Sequence, residues 1–284
     1  MKYNLVATAW IKNEQNYLPQ WIEFHLLQGF DKFIFYDNNS TDKTEEILSS
    51  YISDGVVELR KYPQFVLERK NFWVIKNTIL EFSGVSNWLY HHSVDEYMYC
   101  RNGTTVSEFL NNYIGFAGVA IPWKLFNANG HNEKIKGLVI ERFTEYINDP
   151  NYHIKTIICP EKTIDCVGNP HAFTHSQSDT VYSNKTSIHR NSHAGAMCHN
   201  NFYDLESICM NHYDCMSLEE FNNKMNKGLL DNSTENVRRQ GSDEKWDFLN
   251  NPYVEKNFDP YIKDKYSDII KNKLSDRNLM WTIE

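Results

Sequence analysis

Two adjacent carboxylates, Asp95 and Glu96, follow a strand-like apolar run in the segment WLYHHSVDEYMY at residues 88–99. Carboxylate oxygens are the ligands that Mg²⁺ and Mn²⁺ prefer, and an Asp-x-Asp at the end of a strand supplies them well. Here the first of those two positions is Ser93, whose hydroxyl brings no charge. The segment is therefore either a metal site that lacks one carboxylate or the ordinary end of a core strand.

Histidines lie beside these carboxylates and again later in the chain. Side chains alternate along a strand, so at most one of His91 and His92 can face Asp95, and core packing is the alternative for both. Farther on, histidines and cysteines lack the regular spacing of a zinc site, which favours a loop over a structural zinc. These residues are His189, His193, Cys198, His199, Cys209, His212 and Cys215.

The elements that must position Asp95 follow a β-α-β-α-β pattern. Apolar runs predict strands at 3–9, 31–37 and 56–62 with helices between them, and a last strand at 87–94 after another helix. This alternation predicts a parallel sheet with helices on its faces and the carboxyl ends of its strands at one edge. Ligands bind at that edge, where Asp95 is expected.

Two polar loops are predicted at the same edge. Lys12, Asn13 and Glu14 follow the first strand, while Asp37 and Asn38 follow the second. Their donors and acceptors suit the polar edge of a base or a ribose. The alternative for the second loop is a plain strand-to-helix turn.

The composition excludes some classes of protein. A net charge of -8 and a pI near 5.8 over 284 residues argue against nucleic-acid binding, which needs concentrated Lys and Arg. The opening residues hold no long apolar run, so we expect neither a signal peptide nor a membrane span. The six cysteines include no Cys-x-x-Cys pair, which favours reduced thiols and a cytoplasmic location.

Seven segments occur in the order and spacing of a known family: KNEQNYLPQWIEFHLLQGFDKFIFYDNNSTDKT, NWLYHHSVDEYM, IPWKLFNANGH, GLVIERF, HIKTIICP, GNPHAF and MNHYDCMSLEEFNNKMNKG. Over residues 4–230 the chain resembles the family 92-like glycosyltransferases, which are similar in fold to family 2 enzymes. The resemblance implies an α/β GT-A fold, Rossmann-like, with a mostly parallel central sheet. We expect this domain at 1–230 and a helical C-terminal tail, packed on the domain, at 231–284.

The resemblance also implies a chemistry. A sugar would move, with inversion, from a nucleotide-diphosphate donor, UDP-linked, to a glycan or another hydroxyl acceptor. Mn²⁺ or Mg²⁺ would stabilise the charge on the leaving diphosphate. A rival interpretation is a catalytically silent nucleotide-sugar or glycan-binding protein, and a third is a purely structural domain.

The family pattern Asp-x-Asp-Glu-Phe corresponds to the segment from Ser93 to Tyr97. The resemblance therefore makes Asp95 the metal ligand and a catalytic residue, and it places Ser93 and Val94 against the donor. His171 in GNPHAF and His212 in MNHYD are the candidates to complete the metal sphere. For each histidine the alternative is a structural hydrogen bond.

An inverting transfer needs a carboxylate that takes the proton of the acceptor hydroxyl. Glu141 in GLVIERF is the predicted base, and Asp149 and Glu96 are further candidates. The alternative for Glu141 is a salt bridge with Arg142 or another cation.

Basic and aromatic side chains complete the predicted donor site. Lys155, with Arg69 or Lys76, could neutralise diphosphate oxygens, although each could equally be a surface charge. For Trp123 the alternative is core packing. The residues predicted to cradle the sugars are Trp123, Gly130 and His131.

Overall fold

The structure is a computed structural model that describes residues 1–62, 70–148, 153–167, 171–188, 204–227 and 242–284. The strands in these ranges are β1 (Tyr3–Ile11), β2 (Lys32–Asp37), β3 (Val57–Lys61), β4 (Ser86–His92), β5 (Glu96–Cys100), β6 (Gly118–Leu125), β7 (Glu145–Ile147), β8 (Ile154–Ile158), β9 (Thr163–Cys166), β10 (Phe173–His175), β11 (Thr180–Val181), β12 (Ile208–His212) and β13 (Lys256–Phe258). The helices are α1 (Leu18–Leu27), α2 (Thr44–Ser53), α3 (Lys70–Phe82), α4 (Val106–Leu110), α5 (Val139–Arg142), α6 (Leu218–Asn226), α7 (Ser242–Asn250) and α8 (Tyr261–Asp276).

A central sheet runs in the order β3-β2-β1-β4-β8-β6-β12-β5, with β11 paired to β6. The strands β3, β2, β1 and β4 are parallel to one another, as the alternating pattern predicts. Only β8 and β5 run against the rest of this sheet as it is described, because β8 is antiparallel to β4 and β6 and β5 is antiparallel to β12. The expected α/β fold with a mostly parallel central sheet is confirmed.

The apolar run in β2 explains why helices cover both faces of the sheet. Phe33, Ile34, Phe35 and Tyr36 are all buried, although alternate side chains point to opposite faces. The helix α1 covers one face above the site region, where its Trp21 Nε1 donates a hydrogen bond to the Glu96 carbonyl at 2.8 Å. The start of β5 is thereby fixed against the core.

The C-terminal part also packs on the sheet domain. The strand β13 pairs with β7, and Arg277, just after α8, donates to Glu23 of α1 at 2.7 Å. The predicted boundary between 230 and 231 lies outside the described residues, so this division of the chain stays a prediction. Cys100, Cys159, Cys166, Cys209 and Cys215, the cysteines within the described ranges, are free thiols. Among the helices described, none is long and apolar enough to cross a membrane.

Candidate metal centre and its cavity

Asp95 and His212 meet because two strands that are distant in sequence are neighbours in the sheet. Asp95 immediately precedes β5, and His212 is the last residue of β12. The antiparallel register sets His212 opposite Glu96, and the Tyr213 N–H donates to the Asp95 carbonyl at 2.8 Å. As a result the Asp95 Oδ2 atom lies 3.5 Å from His212 Nε2.

Asp214 joins this pair from two positions farther along the chain, and its Oδ1 lies 3.8 Å from His212 Nε2. One ligand atom from each of the three buried residues lies within 4.8 Å of the others. Asp95 Oδ1 and His212 Nδ1 are buried, and neither has a hydrogen-bond partner within the described ranges. Two carboxylates and an imidazole form a donor set that fits Mn²⁺ or Mg²⁺, with water or substrate oxygens as further ligands.

An ammonium group lies between the two carboxylates. Lys224 of α6 contacts Asp95 Oδ2, and its Nζ lies 2.5 Å from Asp214 Oδ1 and 3.0 Å from the Asp214 carbonyl oxygen. Burial alone would raise the pKa of Asp95, but Lys224 and His212 together hold that pKa well below its usual range. Burial likewise opposes the charge on Lys224, yet Asp214 and Asp95 raise its pKa. The lowered pKa of Asp95 and Asp214 and the raised pKa of Lys224 leave these three side chains ionised at neutral pH.

A cavity of about 750 Å³ opens on this group. It gathers predicted residues from six separate parts of the chain. The predicted site residues that line it are Asn13, Glu14, Ser93, Val94, Asp95, Glu96, Trp123, Lys155, His171 and His212. Other lining residues were missed by the sequence reasoning, chiefly Asp214, Glu220, Lys224, Lys227 and Lys245.

Trp123 lies beside the group formed by Asp95, His212 and Asp214. Its ring lies 4.6 Å from the His212 ring, and it stacks on His153 with the centroids 5.5 Å apart. These contacts orient the His212 imidazole. His171 approaches Trp123 from another side, at 5.4 Å, and its Nδ1 lies 2.9 Å from the Ile154 carbonyl oxygen. Burial lowers the pKa of His171 to about 3, so this ring is neutral.

Glu96 serves to organise the cavity wall. Its carboxylate accepts from the Ser93 N–H at 3.1 Å, and its Oε1 lies 3.2 Å from Lys155 Nζ. Glu96 is 1% exposed. The Lys155 ammonium is thereby held in the wall, where it also faces the cavity.

The helix α6 carries Lys224, is followed directly by Lys227, and is anchored at its start. Ser217 and Glu220 form the capping box that their spacing predicts, with Ser217 Oγ donating to Glu220 Oε2 at 2.6 Å. Arg142 donates to both oxygens of Glu220 at 2.8 and 2.9 Å. Met216, which precedes the cap, has a φ of +49°, an uncommon conformation for a residue with a side chain.

Lys227 ties α6 to the loop after β1. Its Nζ lies 2.8 Å from Glu14 Oε1 and 3.1 Å from the Lys12 carbonyl oxygen. Asn13 of the same loop has a φ of +54°, which asparagine tolerates, and its Oδ1 accepts from the Thr41 N–H at 2.7 Å. The two polar loops predicted at the ligand edge therefore contact each other.

Glu141 lies on α5 and is absent from the cavity lining as described. Its Oε1 accepts from Lys271 Nζ at 2.5 Å, and its Oε2 accepts from the Leu138 N–H at 3.1 Å. The cation that pairs with Glu141 is therefore Lys271 of α8, while the neighbouring Arg142 pairs with Glu220. The role of Glu141 as base stays a prediction.

Other predicted residues also lie apart from the lining that is described. Asp37 accepts from the Ser40 N–H at 3.1 Å, and Lys76 Nζ lies 3.5 Å from Asp165 Oδ2. Gly130 has a φ of +77°, as a tight turn requires, and leads to His131. The remaining members of this set are Lys12 and Asn38. Arg69, Asp149 and four members of the histidine and cysteine stretch (His189, His193, Cys198 and His199) lie outside the described residues.

A family model described as glycosyltransferase family 92 matches residues 6–247. The chain belongs to glycosyltransferase family 92. A family 92 protein of Ricinus communis is 27% identical over 99 residues, which cover 34% of this chain and 17% of that relative. One from Oryza sativa subsp. japonica is 24% identical over 165 residues, or 56% of this chain and 27% of the relative. The chain thus spans about a quarter or less of these family 92 relatives.

Solved structures similar to this family 92 chain include the following two proteins. S. aureus TarS in complex with UDP-GlcNAc has a TM-score of 0.37 at 10% identity, covering 69% of this chain and 62% of that one. Glucosyl-3-phosphoglycerate synthase from Mycobacterium tuberculosis, in complex with Mn²⁺, UDP and glucosyl-3-phosphoglycerate, has a TM-score of 0.28 at 16% identity. Its match covers 43% of this chain and 44% of that one.

Proposed function

We propose that this family 92 protein transfers a sugar from a nucleotide-diphosphate donor, UDP-linked, to a hydroxyl of a glycan or another acceptor. Asp95, His212 and Asp214 would hold Mn²⁺ or Mg²⁺. The observation that carries the proposal is this buried group opening on a cavity of about 750 Å³ in a member of a glycosyltransferase family. A cavity of that volume is in the range of small-molecule sites.

The cavity lysines, each of them paired with a carboxylate, support a diphosphate ligand that would compete for their ammonium groups. Four lysines line the cavity, namely Lys155, Lys224, Lys227 and Lys245. Ammonium groups next to phosphate oxygens make charge-assisted hydrogen bonds. When bound, the divalent cation would supply further positive charge at the diphosphate as the sugar leaves. In this arrangement the lysines bind and orient the donor from α6, α7 and β8.

The remaining walls suit the other parts of a donor. Asn13 and Glu14 offer an amide and a carboxylate to the nucleoside, and Trp123 offers an apolar ring edge to a sugar. For the proton of the acceptor hydroxyl, Glu141 is the base that we propose, with inversion at the transferred carbon. Its ion pair with Lys271 would then have to open when the acceptor binds.

Turnover of UDP-, GDP- and dTDP-sugars with and without Mn²⁺ tests this function. We expect one donor to be consumed only when Mn²⁺ is present, and Asp95→Asn to abolish turnover. The matched control is Asp165→Asn, which removes a carboxylate that pairs with Lys76 on a different part of the surface. Turnover by Asp95→Asn at the wild-type rate would overturn the metal role of Asp95.

One observation favours a second function, a silent nucleotide-sugar-binding protein. Ser93 leaves the first position of the expected carboxylate pair uncharged. This alternative predicts that a donor raises the melting temperature, because a ligand that binds the native state stabilises it, but that no donor is consumed.

A further inference from the structure

The ligand group proposed for the metal already holds a cation, the ammonium of Lys224. The Lys224 ammonium contacts one oxygen of each carboxylate, Asp95 Oδ2 and Asp214 Oδ1. Asp95 Oδ2 is also the oxygen that faces His212 Nε2 at 3.5 Å. Lys224 therefore donates hydrogen bonds to the carboxylate oxygens that face the centre of the Asp95–His212–Asp214 group.

Lys224 and a divalent cation cannot use these oxygens together. The Lys224 ammonium lies between Asp95 Oδ2 and Asp214 Oδ1, where a divalent cation that uses both oxygens would also have to sit, and the two positive charges repel each other. Without either cation, two buried carboxylates would face each other, which raises the free energy of the ionised pair. The point between Asp95 Oδ2 and Asp214 Oδ1 therefore holds one cation at a time, while Lys245 pairs with the other oxygen of Asp214, Oδ2.

We propose that Lys224 exchanges with the divalent cation. In the metal-free protein Lys224 bridges Asp95 and Asp214, and on metal binding its ammonium would move into the cavity, where it would donate to the donor diphosphate. The proposal rests on the proposed function for the identity of that ligand. Lys224 is thus a positioning residue for the metal ligands and then a donor-binding residue.

The surroundings of Lys224 permit such a movement. Its side chain is 23% exposed and already lines the cavity, so the ammonium can leave the carboxylates without disturbing the core. The backbone of α6 stays fixed, because the capping box at Ser217 and the Arg142–Glu220 ion pair hold its first turn. Only the four-carbon side chain has to change rotamer.

The other cavity lysines are placed differently. Lys227 directly follows α6 and pairs with Glu14, and the contacts described for its ammonium include neither carboxylate of the Asp95–His212–Asp214 group. Lys245 of α7 pairs with Asp214, but its side chain is 45% exposed and it does not bridge to Asp95 in the structure described. Lys227 therefore provides a matched control of equal charge, at the end of the same helix and in the same cavity.

Mn²⁺ binding without donor tests the exchange. Free Mn²⁺ measured by electron paramagnetic resonance gives a Kd for wild type, Lys224→Met and Lys227→Met. We expect Lys224→Met to bind Mn²⁺ at least about tenfold more tightly than wild type, since the competing cation is gone, and Lys227→Met to change the Kd less than about threefold. Unchanged or weaker binding by folded Lys224→Met would overturn the exchange while leaving the metal site in place.

A second measurement needs no variant and so does not depend on the folding of Lys224→Met. Acetic anhydride modifies free amines, and mass spectrometry reports the rate at each lysine of the wild-type chain. Saturating Mn²⁺ should accelerate modification of Lys224 severalfold and leave Lys227 unchanged. A Lys224 rate that Mn²⁺ leaves unchanged or lowers would overturn the proposal. Failure of Mn²⁺ to bind any of the proteins would overturn the metal part of the proposed function together with the exchange.

Discussion

Asp95 Oδ2 lies 3.5 Å from His212 Nε2 because the start of β5 is paired with the end of β12. The pairing is antiparallel, so the polar residues that flank the two strands meet at one edge of the sheet. Asp214 and Lys224 reach the same point from the segment that follows β12. A site that resembles an Asp-x-Asp motif in sequence is thus assembled, in three dimensions, from two distant segments.

Restoring a carboxylate at position 93 should strengthen metal binding. Ser93 lines the cavity next to Asp95, so Ser93→Asp adds a negative charge near the proposed metal ligands Asp95, His212 and Asp214. We expect Mn²⁺ to bind about tenfold more tightly, which corresponds to about 1.4 kcal/mol, in a calorimetric titration. Ser93→Asn is the control for side-chain size, and equal Mn²⁺ affinity in the two variants would show that the missing charge has no effect.

The predicted base role of Glu141 can be separated from its ion pair. Glu141→Gln should lower kcat if this carboxylate takes the acceptor proton, whereas Lys271→Met removes the ion pair but leaves the carboxylate. The pair is partly exposed, so each change should cost less than about 1 kcal/mol of unfolding free energy. Steady-state kinetics and urea unfolding of both variants provide the comparison. Equal kcat in wild type and Glu141→Gln would assign Glu141 a structural role.

The Arg142–Glu220 pair should matter far more for stability. The two side chains are 2% and 3% exposed, and Arg142→Met would leave a buried carboxylate without its cation. We expect a loss of about 3–5 kcal/mol of unfolding free energy in urea. Arg60→Met is the control, because it breaks the more exposed Arg60–Glu81 pair and should cost much less. A similar cost for the two variants would contradict this prediction.

Stability should fall as the pH drops from 7 to 5. Burial lowers the pKa of His25 and His92 well below the usual range and that of His91 to about 3. Between those values and about 6.5 the unfolded chain binds more protons than the folded one, so protonation favours unfolding. Each histidine contributes up to about 1.4 kcal/mol per pH unit below 6.5, and its contribution is complete above that pH.

The stabilisation from the lowered pKa of Asp95 and Asp214 is lost only below about pH 4, so it does not overlap this window. Urea unfolding at pH 7.0 and 5.0 measures the effect. The variant His91→Gln should show a smaller pH dependence than wild type, because one of the imidazoles whose pKa is lowered by burial is gone. An unfolding free energy that is the same at both pH values would contradict the assignment of these rings as buried and neutral.

Local patterns in the sequence were sufficient to predict the first half of the sheet. The runs that form β1 to β4 are apolar and alternate with helices, and such alternation leaves little choice of topology. Asp95 was found because it directly follows a recognisable strand. The Ser217 capping box was likewise visible from its spacing alone.

The rest of the site depends on pairings between distant segments. Nothing local indicates that β5 pairs with β12, so Asp214 was overlooked although it stands two residues after His212, where an extended chain returns to the same face. Lys224 and Lys227 on α6 look like the solvated side of an amphipathic helix until the partner carboxylates are known. The ion pair of Glu141 was foreseen as an alternative, but its partner on α8 was not.

The pairing of β5 with β12 also means that, during synthesis, β5 must wait for a strand that is translated much later. Lys224 follows Asp95 by 129 residues, and ribosomes add about 5–20 residues per second. Asp95 therefore leaves the ribosome on the order of ten seconds before its partners on β12 and α6. During that interval the nascent chain carries an incomplete carboxylate cluster and an unpaired strand edge. We expect chaperones to bind this edge until β12 has been synthesised.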